Sequence, residues 1–280
     1  MSNPFMMPPT GFGPGSQPLD NGDEALEYMP LPQDMRIYSP RLPEVDGSLD
    51  LLKPALHLLR DVAGACSVVA ASGQAVRFDL TGLDNDNRAL VAETLSEGEV
   101  AAKVRSIPAV AVQESVFAGV WQLKAEGIDC IEVATIPECV MENAFFPRRA
   151  PLFDKAPTRA GVVNAPPLLV ELQDKSAAFD PHAELHVVNL SLLPHTEEDL
   201  EWLDQALGEG SVTILSRGYG NCRVTATGLD HVWRVQFFNS MDTLILDTFE
   251  VTTMPEVALA AREDLADSGD RILKVIEAIS

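Results

Sequence analysis

The sequence predicts an α+β fold that arose by tandem duplication of an α-β-α-β-β-β-β-α unit, each unit being an antiparallel sheet with helices packed on one face. Alternation of apolar and polar residues predicts the strands. Two sets of matched residues indicate the duplication, because chance matches do not keep a constant spacing. Seven residues recur 112 positions later: Leu95, Glu97, Gly98, Val100, Val112, Val120 and Trp121. Five more recur 118 positions later: Glu132, Val133, Thr135, Pro137 and Glu138.

The chain divides into four segments. Residues 1–48 contain nine of the twenty prolines, so we expect an N-terminal arm that is extended or mobile, or that wraps the body as ordered coil. The first α+β repeat occupies residues 49–144. Residues 145–167 contain five prolines and are predicted to be a linker. The second repeat occupies residues 168–280 and includes a C-terminal helix.

The first repeat begins with apolar residues at helical spacing, and its second helix has a suitable N-cap in Asp84 and an expected end at Gly98. Pro137 falls in the first turn of a third helix. In chain order the predicted elements are a helix at 51–59, a strand at 76–80, a helix at 84–98, strands at 99–104, 110–117, 119–124 and 130–134, and a helix from Pro137.

The second repeat follows the same order. Thr196 and Asp199 approximate a capping box for its second helix, which Gly210 is expected to end. The predicted elements are helices at 168–178 and 196–210, strands at 185–190, 212–215, 222–226, 232–238 and 243–251, and a helix from Pro255. The tail carries an apolar helical stripe, which we expect to pack on its own protein; the alternative is a partner-binding helix. The stripe consists of Ile272, Val275, Ile276 and Ile279.

The charge of the chain excludes some classes of partner. Lys and Arg number 20 against 42 Asp and Glu, which gives a formal net charge of −22. Such a surface repels phosphate backbones and anionic lipids, so we expect neither nucleic-acid nor membrane-surface binding. It would attract a basic segment of another protein, although acidity for solubility explains the charge as well.

Cysteine usage and the hydropathy pattern indicate a cytoplasmic protein. The four cysteines include no CxxC pair and lie in or beside apolar runs, as buried reduced thiols do. The first fifteen residues lack the basic and apolar regions of a signal peptide. No apolar run is expected to reach the length that spans a bilayer, so no membrane insertion is predicted.

The two copies differ mainly at one hairpin, where the second copy is six residues longer. We expect each strand to be longer by three residues, so that the hairpin protrudes by about 10 Å. Trp121 and Trp233 are assigned to the core. The opposite sheet face is predicted to bind a partner through five residues: Arg223, Arg234, Gln236, Phe238 and Asn239. The alternative is a solvated face with Phe238 covered by the N-terminal arm.

The sequence shows no catalytic constellation, so we expect a protein that is not an enzyme and that needs no cofactor or metal. Three weaker patterns leave open a metal or iron–sulfur cluster carrier. They are the pair His182 and His186, the pair Cys222 and His231, and the acidic hairpin residues Asp242, Asp247 and Glu250. The two histidines lie in a predicted strand, where positions i and i+4 are about 13 Å apart, which argues against a shared metal site. Strand alternation places Asp247 and Glu250 on opposite faces, which argues against a shared site for that pair as well.

Four segments of the second repeat closely resemble the C-terminal region of the HupH/HyaF family. They are Gly218–Arg223, Gly228–Ser240, Asp242–Thr248 and Pro255–Val257. The duplicated body and the Pro-rich start are also similar to that family. The resemblance implies an accessory factor encoded with uptake nickel–iron hydrogenases.

That family is regarded as chaperones in hydrogenase maturation, and the resemblance implies that this chain acts on the iron–sulfur small subunit before export. Other maturation factors are further implied partners. The acidic surface suits the basic leader peptide of such a subunit. The family offers no catalytic residues to transfer to this sequence.

Overall fold

In a computed structural model, residues 49–218 and 220–279 are described, and the predicted N-terminal arm lies outside the described residues. The described part forms six α-helices and ten strands. In chain order they are α1 (Lys53–Ser72), β1 (Val76–Asp79), α2 (Asn85–Leu95), β2 (Val100–Val104), β3 (Val110–Glu114), β4 (Val120–Ala125), β5 (Ile128–Val133), α3 (Glu138–Asn143), α4 (Ala165–Ala177), β6 (His186–Asn189), α5 (Glu197–Leu207), β7 (Val212–Ser216), β8 (Asn221–Ala226), β9 (Val232–Phe238), β10 (Leu244–Val251) and α6 (Arg262–Ile279). The predicted α+β class is confirmed.

The ten strands form one antiparallel sheet, with the order β1-β5-β4-β3-β2-β7-β8-β9-β10-β6. The prediction of a separate sheet in each repeat was therefore wrong. The two halves join where β2 pairs with β7 from Val100–Ser216 to Val104–Val212. Each of these strands would otherwise be the exposed edge of a five-stranded sheet, and the pairing satisfies their backbone groups.

Helix ends in the structure depart from the expected positions. Ser96 follows α2 with a φ of 49°, and Gly208 follows α5 with a φ of 67°, so both helices end before Gly98 and Gly210. The matched glycines instead allow close packing. A Cβ at Gly98 would collide with the carbonyl of Ser115, and one at Gly210 would collide with the carbonyl of Ala144.

The first helix cluster packs α1, α2 and α6 on β4 and β5. Its buried residues include Leu59, Leu90, Val120, Ile131 and Ile272. The span from Asp50 to Ser72 is long and apolar enough to cross a membrane by length and composition, so the expectation that no run reaches this length was wrong. In the structure the apolar side of α1 lies in this cluster, as in the core helix of a folded domain.

The C-terminal helix α6 packs against α1 and therefore completes the core of the first half rather than the second. Ile272, Val275 and Ile276 are buried in this contact, as the stripe predicted. The predicted helix from Pro255 is only a short 3₁₀ helix, Glu256–Ala258, and α6 begins four residues later.

The second helix cluster packs α4 and α5 on β6, β9 and β10, around Leu172, Leu203, Val232 and Phe249. Residues opposite one another in adjacent strands share a face of the sheet. A row of such partners runs across the sheet from Phe249, which belongs to the second cluster, to Lys124 on β4. Lys124 shares its face of β4 with Val120, which belongs to the first cluster, so both helix clusters lie on the same face. We call it the helix face.

The opposite face carries a third cluster beneath α3 and the segment 252–258, so the prediction that helices pack on one face only was wrong. Trp121 and Trp233 are fully buried in it, which confirms their assignment to the core. The indole of Trp121 donates to the Ala134 carbonyl at 2.9 Å, and that of Trp233 donates to the Thr253 carbonyl at 3.3 Å.

The β9–β10 hairpin is longer than its counterpart β4–β5, although less of the extra length lies in the strands than predicted. β9 has seven residues against six in β4, and β10 has eight against six in β5. A register shift between Leu244 and Leu246 and the wider turn at 239–243 take up the rest. We call the segment Phe237–Leu246 the finger.

Candidate partner-binding surface

The exposed Arg223 and the half-buried Phe238 contact each other at the base of the finger. Arg223 on β8 points to the helix face, where its guanidinium lies 5.4 Å from the centroid of the Phe238 ring. This distance is suitable for a cation–π interaction. Arg223 is exposed and forms no ion pair with residues 49–218 or 220–279. The sequence placed both residues on one sheet face, and the structure brings them together there. It also predicted that the helices cover the opposite face, which was wrong, because both helix clusters pack on the face of Arg223 and Phe238.

A shallow cavity of about 380 Å³ opens beside this pair. Its lining combines the two residues with an apolar floor at Leu215 and with polar groups from the turn of the finger. Asn221 donates a side-chain hydrogen bond to Asp242 at 3.1 Å and so fixes the turn over the end of β8. The cavity offers a cation, an aromatic ring and hydrogen-bonding groups to a partner side chain.

Arg234 and Gln236, by contrast, are occupied within the protein. Arg234 donates to Asp247 twice, from Nε to Oδ1 at 2.9 Å and from Nη2 to Oδ2 at 2.6 Å. Gln236 donates to the same carboxylate at 3.3 Å. Burial alone lowers the pKa of Arg234, but the hydrogen bonds and charge of Asp247 outweigh it and raise that pKa. These two predicted contact residues therefore brace the base of the finger.

Asn239 is also committed to local structure. Its side-chain Oδ1 accepts hydrogen bonds from the backbone N–H groups of Met241 at 2.9 Å and Thr243 at 3.0 Å. Asp242, in the same turn, has a φ of 57°, a conformation that Asp and Asn tolerate better than most residues. Asn239 therefore shapes the turn, and its side-chain oxygen is already occupied by hydrogen bonds within the protein.

The tip of the finger exposes apolar side chains that the sequence reasoning did not select. Met241 is 83% exposed, Leu244 is 43% exposed and Ile245 is 60% exposed. The signal was present in the sequence, because the consecutive apolar residues Leu244, Ile245 and Leu246 cannot all face one side of a strand. Together with Phe238, these side chains give the finger an aromatic and aliphatic surface.

The structure separates the residues of the alternative metal sites. Cys222 lies opposite Phe237, six positions along β9 from His231, which corresponds to about 20 Å. His186 on β6 contacts Glu171 at 2.9 Å. Among residues 49–218 and 220–279, no group of three or more His, Cys, Asp or Glu side chains could hold a metal ion.

The thiols are poorly suited to nucleophilic or metal-ligand chemistry. Burial raises the pKa of Cys66 to about 12 and that of Cys222 to about 11. Burial likewise raises the pKa of Cys139 to about 11. A thiol needs to ionise before it attacks or ligates, so these groups stay protonated near neutral pH. All four cysteines are free, and three of them are buried, as the sequence predicted.

Comparison with known proteins relates this architecture to hydrogenase accessory proteins. The family model "HupH hydrogenase expression protein, C-terminal conserved region" matches residues 162–279. The chain is 60% identical over 279 residues to hydrogenase expression/formation protein HupH of Rhodobacter capsulatus, with 100% of both chains covered. It is 29% identical over 283 residues to hydrogenase-1 operon protein HyaF of Escherichia coli, covering 95% of this chain and 94% of that one.

A solved structure, hydrogenase expression protein HupH from Thiobacillus denitrificans, is 29% identical and covers 43% of this chain and 99% of its own, with a TM-score of 0.40. The relationship of this chain to its relatives rests on the full-length sequence matches. With 60% identity over its whole length to a named HupH protein, the chain belongs to the HupH/HyaF family of hydrogenase expression/formation proteins.

Proposed function

We propose that this chain is a non-enzymatic accessory protein in the maturation of a nickel–iron hydrogenase, and that it binds the iron–sulfur small subunit in the cytoplasm before export. The names of its full-length relatives support the link to hydrogenase formation. The observation that carries the binding role is the finger, which presents exposed apolar side chains beside the Arg223–Phe238 contact. Aromatic and Arg side chains are typical of the energetic centres of protein interfaces.

The finger suits this role because it is rigid at its base and apolar at its tip. The Arg234–Asp247 ion pair joins its two strands, and Asn239 closes its turn. A surface that is ordered before it meets its partner loses less conformational entropy on binding. The apolar side chains can therefore contribute to affinity without first being ordered.

The proposed docking half is one of two copies. The order β1-β5-β4-β3-β2 of the first half recurs, read in reverse, as β7-β8-β9-β10-β6 in the second. This agreement supports a tandem duplication of residues 49–144 and 168–280, with the finger as the main addition to the second copy. The helix α6 departs from the scheme, since it packs on the first half.

The basic leader peptide of the small subunit is a second proposed contact. It is motivated by the net charge of −22, which would attract a basic segment. An attraction between exposed charges weakens as salt is added. Affinity for a synthetic leader peptide that did not change between low and high salt would count against this contact.

Binding of purified small subunit to two matched variants tests the finger. In the first, Arg223→Ala is combined with Phe238→Ala. In the control, the exposed residues Arg60 and Phe146 are replaced in the same way. We expect the first variant to keep its circular dichroism spectrum and to bind at least about tenfold more weakly, while the control binds normally. Equal affinity of the two variants would reject this surface.

A further inference from the structure

The middle of the helix face carries a trough between the two helix clusters. The first cluster reaches β4 and β5, and the second takes its strand residues from β6, β9 and β10. The four strands between them, β3, β2, β7 and β8, contribute no residue to either cluster. Three spacings separate β3 from β8, which gives a floor about 14 Å wide. An α-helix with its side chains is about 10–12 Å across, so the floor can accommodate a peptide segment.

The floor of this trough is basic, although the protein as a whole is strongly acidic. Lys103 on β2 lies on the floor, and Lys124 lies at its border, on the part of β4 that pairs with β3. The two residues flank Ala111, about 10 Å apart between Cα atoms. Both lysines are exposed. Arg105 follows β2 and donates to Thr213 on β7 at 2.8 Å. Arg223 on β8 extends the same surface into the second half.

Among the residues that the structure describes, these cations form no ion pair, in contrast to several other arginines of the protein. Arg77, Arg88, Arg148, Arg149 and Arg234 each form an ion pair. Within residues 49–218 and 220–279, the four floor cations form none. Although the chain carries 42 acidic residues, four of its 20 basic residues lie on this part of one sheet face. The other helix-face positions on the floor and at its border are neutral, and they include Gln113, Gln122, Leu215 and Thr225. Beyond the border, the acidic Asp129 on β5 lies opposite Lys124.

We propose that this trough binds an acidic peptide segment of a partner protein, held by Lys103, Arg105, Lys124 and Arg223. The complementary charge favours such a segment over a basic one, which the floor would repel. Leu215 and Ala111 offer apolar contact between the charges. The inference rests on the proposed function only in that the chain binds a protein. It also assigns the first half a role in binding, since two of the four cations belong to β2 and its continuation and one belongs to β4.

A synthetic probe tests the trough without the hydrogenase subunit, so its result is separable from that of the finger. The probe is a fluorescein-labelled peptide of alternating glutamate and alanine, titrated with the full chain and followed by fluorescence anisotropy. Lys103→Glu with Lys124→Glu removes two floor cations. Lys175→Glu with Lys274→Glu makes the same change in net charge on exposed helix positions outside the trough.

We expect the probe to bind the unmodified chain and the control variant alike, more weakly as salt rises, and to bind the trough variant at least about tenfold more weakly. Three outcomes overturn the proposal: no binding to the unmodified chain, equal losses in the two variants, or equal binding of a lysine–alanine peptide.

The acidic residues that precede Leu49 are a competing occupant. A full chain with Asp20→Asn, Asp23→Asn, Glu24→Gln and Glu27→Gln distinguishes the two. Unchanged probe affinity supports a partner segment. Affinity about tenfold higher in this variant would assign the trough to the protein's own N-terminal residues and overturn the proposal.

Discussion

Arg234 on β9 and Asp247 on β10 form a bidentate ion pair that spans the base of the finger, with the shorter of its two hydrogen bonds at 2.6 Å. The Asp247 side chain is 5% exposed and the Arg234 side chain is 23% exposed. The Asp247 backbone N–H donates in turn to Ser191 at 2.9 Å, which ties the finger to the segment after β6. Asp247 therefore links the base of the finger to β9 through its carboxylate and to the segment after β6 through its backbone N–H.

Arg234→Ala is expected to lower the free energy of unfolding by about 3 kcal/mol or more, because it leaves the buried Asp247 carboxylate without its cation. Arg223→Ala, on the neighbouring strand, removes a solvent-exposed side chain. This substitution should change the free energy of unfolding by no more than about 0.5 kcal/mol. Urea denaturation of the two variants measures the difference. If the two variants were equally stable, Asp247 would not depend on Arg234.

Replacing the apolar tip of the finger should abolish partner capture without unfolding the protein. The variant combines Met241→Ser, Leu244→Thr and Ile245→Thr, and its total effect on the free energy of unfolding should stay within about 1 kcal/mol. The control replaces three comparably exposed residues, Val68, Val163 and Val170, with Thr. A pull-down with the small subunit compares them. Retained capture by the tip variant would remove the apolar side chains from the interface.

Glu114 is expected to make the protein less stable as pH rises. Burial raises its pKa from 4.5 to about 7, although the Gly119 N–H donates to its carboxylate at 3.0 Å. Between these pH values the folded state holds a proton that the unfolded chain releases, so rising pH favours unfolding. The Glu114→Gln variant should not lose stability in this way. Above pH 7 its free energy of unfolding should exceed that of the unmodified protein by about 3 kcal/mol.

Urea denaturation at pH 5, 6, 7 and 8 measures this effect as the difference between the two proteins, since other groups titrate equally in both. The gap should widen with pH and level off above about 7. Parallel profiles would show that Glu114 ionises normally in the folded protein.

The packing of α6 on the first half predicts a large effect at Ile272. This residue is fully buried against α1, whereas its neighbour Leu273 is 40% exposed. Ile272→Ala should cost about 2–5 kcal/mol, and Leu273→Ala should cost much less. Thermal unfolding of the two variants tests this. Similar melting temperatures would mean that α6 does not dock on the first half in solution.

The sequence predicted features that depend on neighbouring residues. Alternation and helical spacing predicted the order of the strands and of all helices but the one expected from Pro255, because these patterns follow from the geometry of strands and helices. The capping box of α5 is present, with Thr196 accepting from the Asp199 N–H at 3.0 Å. Asp84 caps α2 as predicted, through the Asn87 N–H at 2.9 Å. The burial of Trp233 followed from the alternation of β9.

Features that depend on distant parts of the chain were not predictable in this way. The sequence does not encode locally which edges meet, so the β2–β7 pairing was missed. The stripe through Ile272 showed that α6 would bury one face but not which helix would cover it. The pairing of Arg234 with Asp247 depends on the register between β9 and β10. Register depends on the turn, which Asn239 shapes by accepting hydrogen bonds from the Met241 and Thr243 N–H groups.

The most direct test of the central claim is anaerobic affinity purification of the tagged full chain from cells that make the hydrogenase, with co-eluting proteins identified by mass spectrometry. The proposed function predicts that the hydrogenase small subunit co-elutes and that it disappears when Arg223→Ala and Phe238→Ala are combined. Absence of the small subunit from the unmodified chain, or equal recovery with the double variant, would contradict the account.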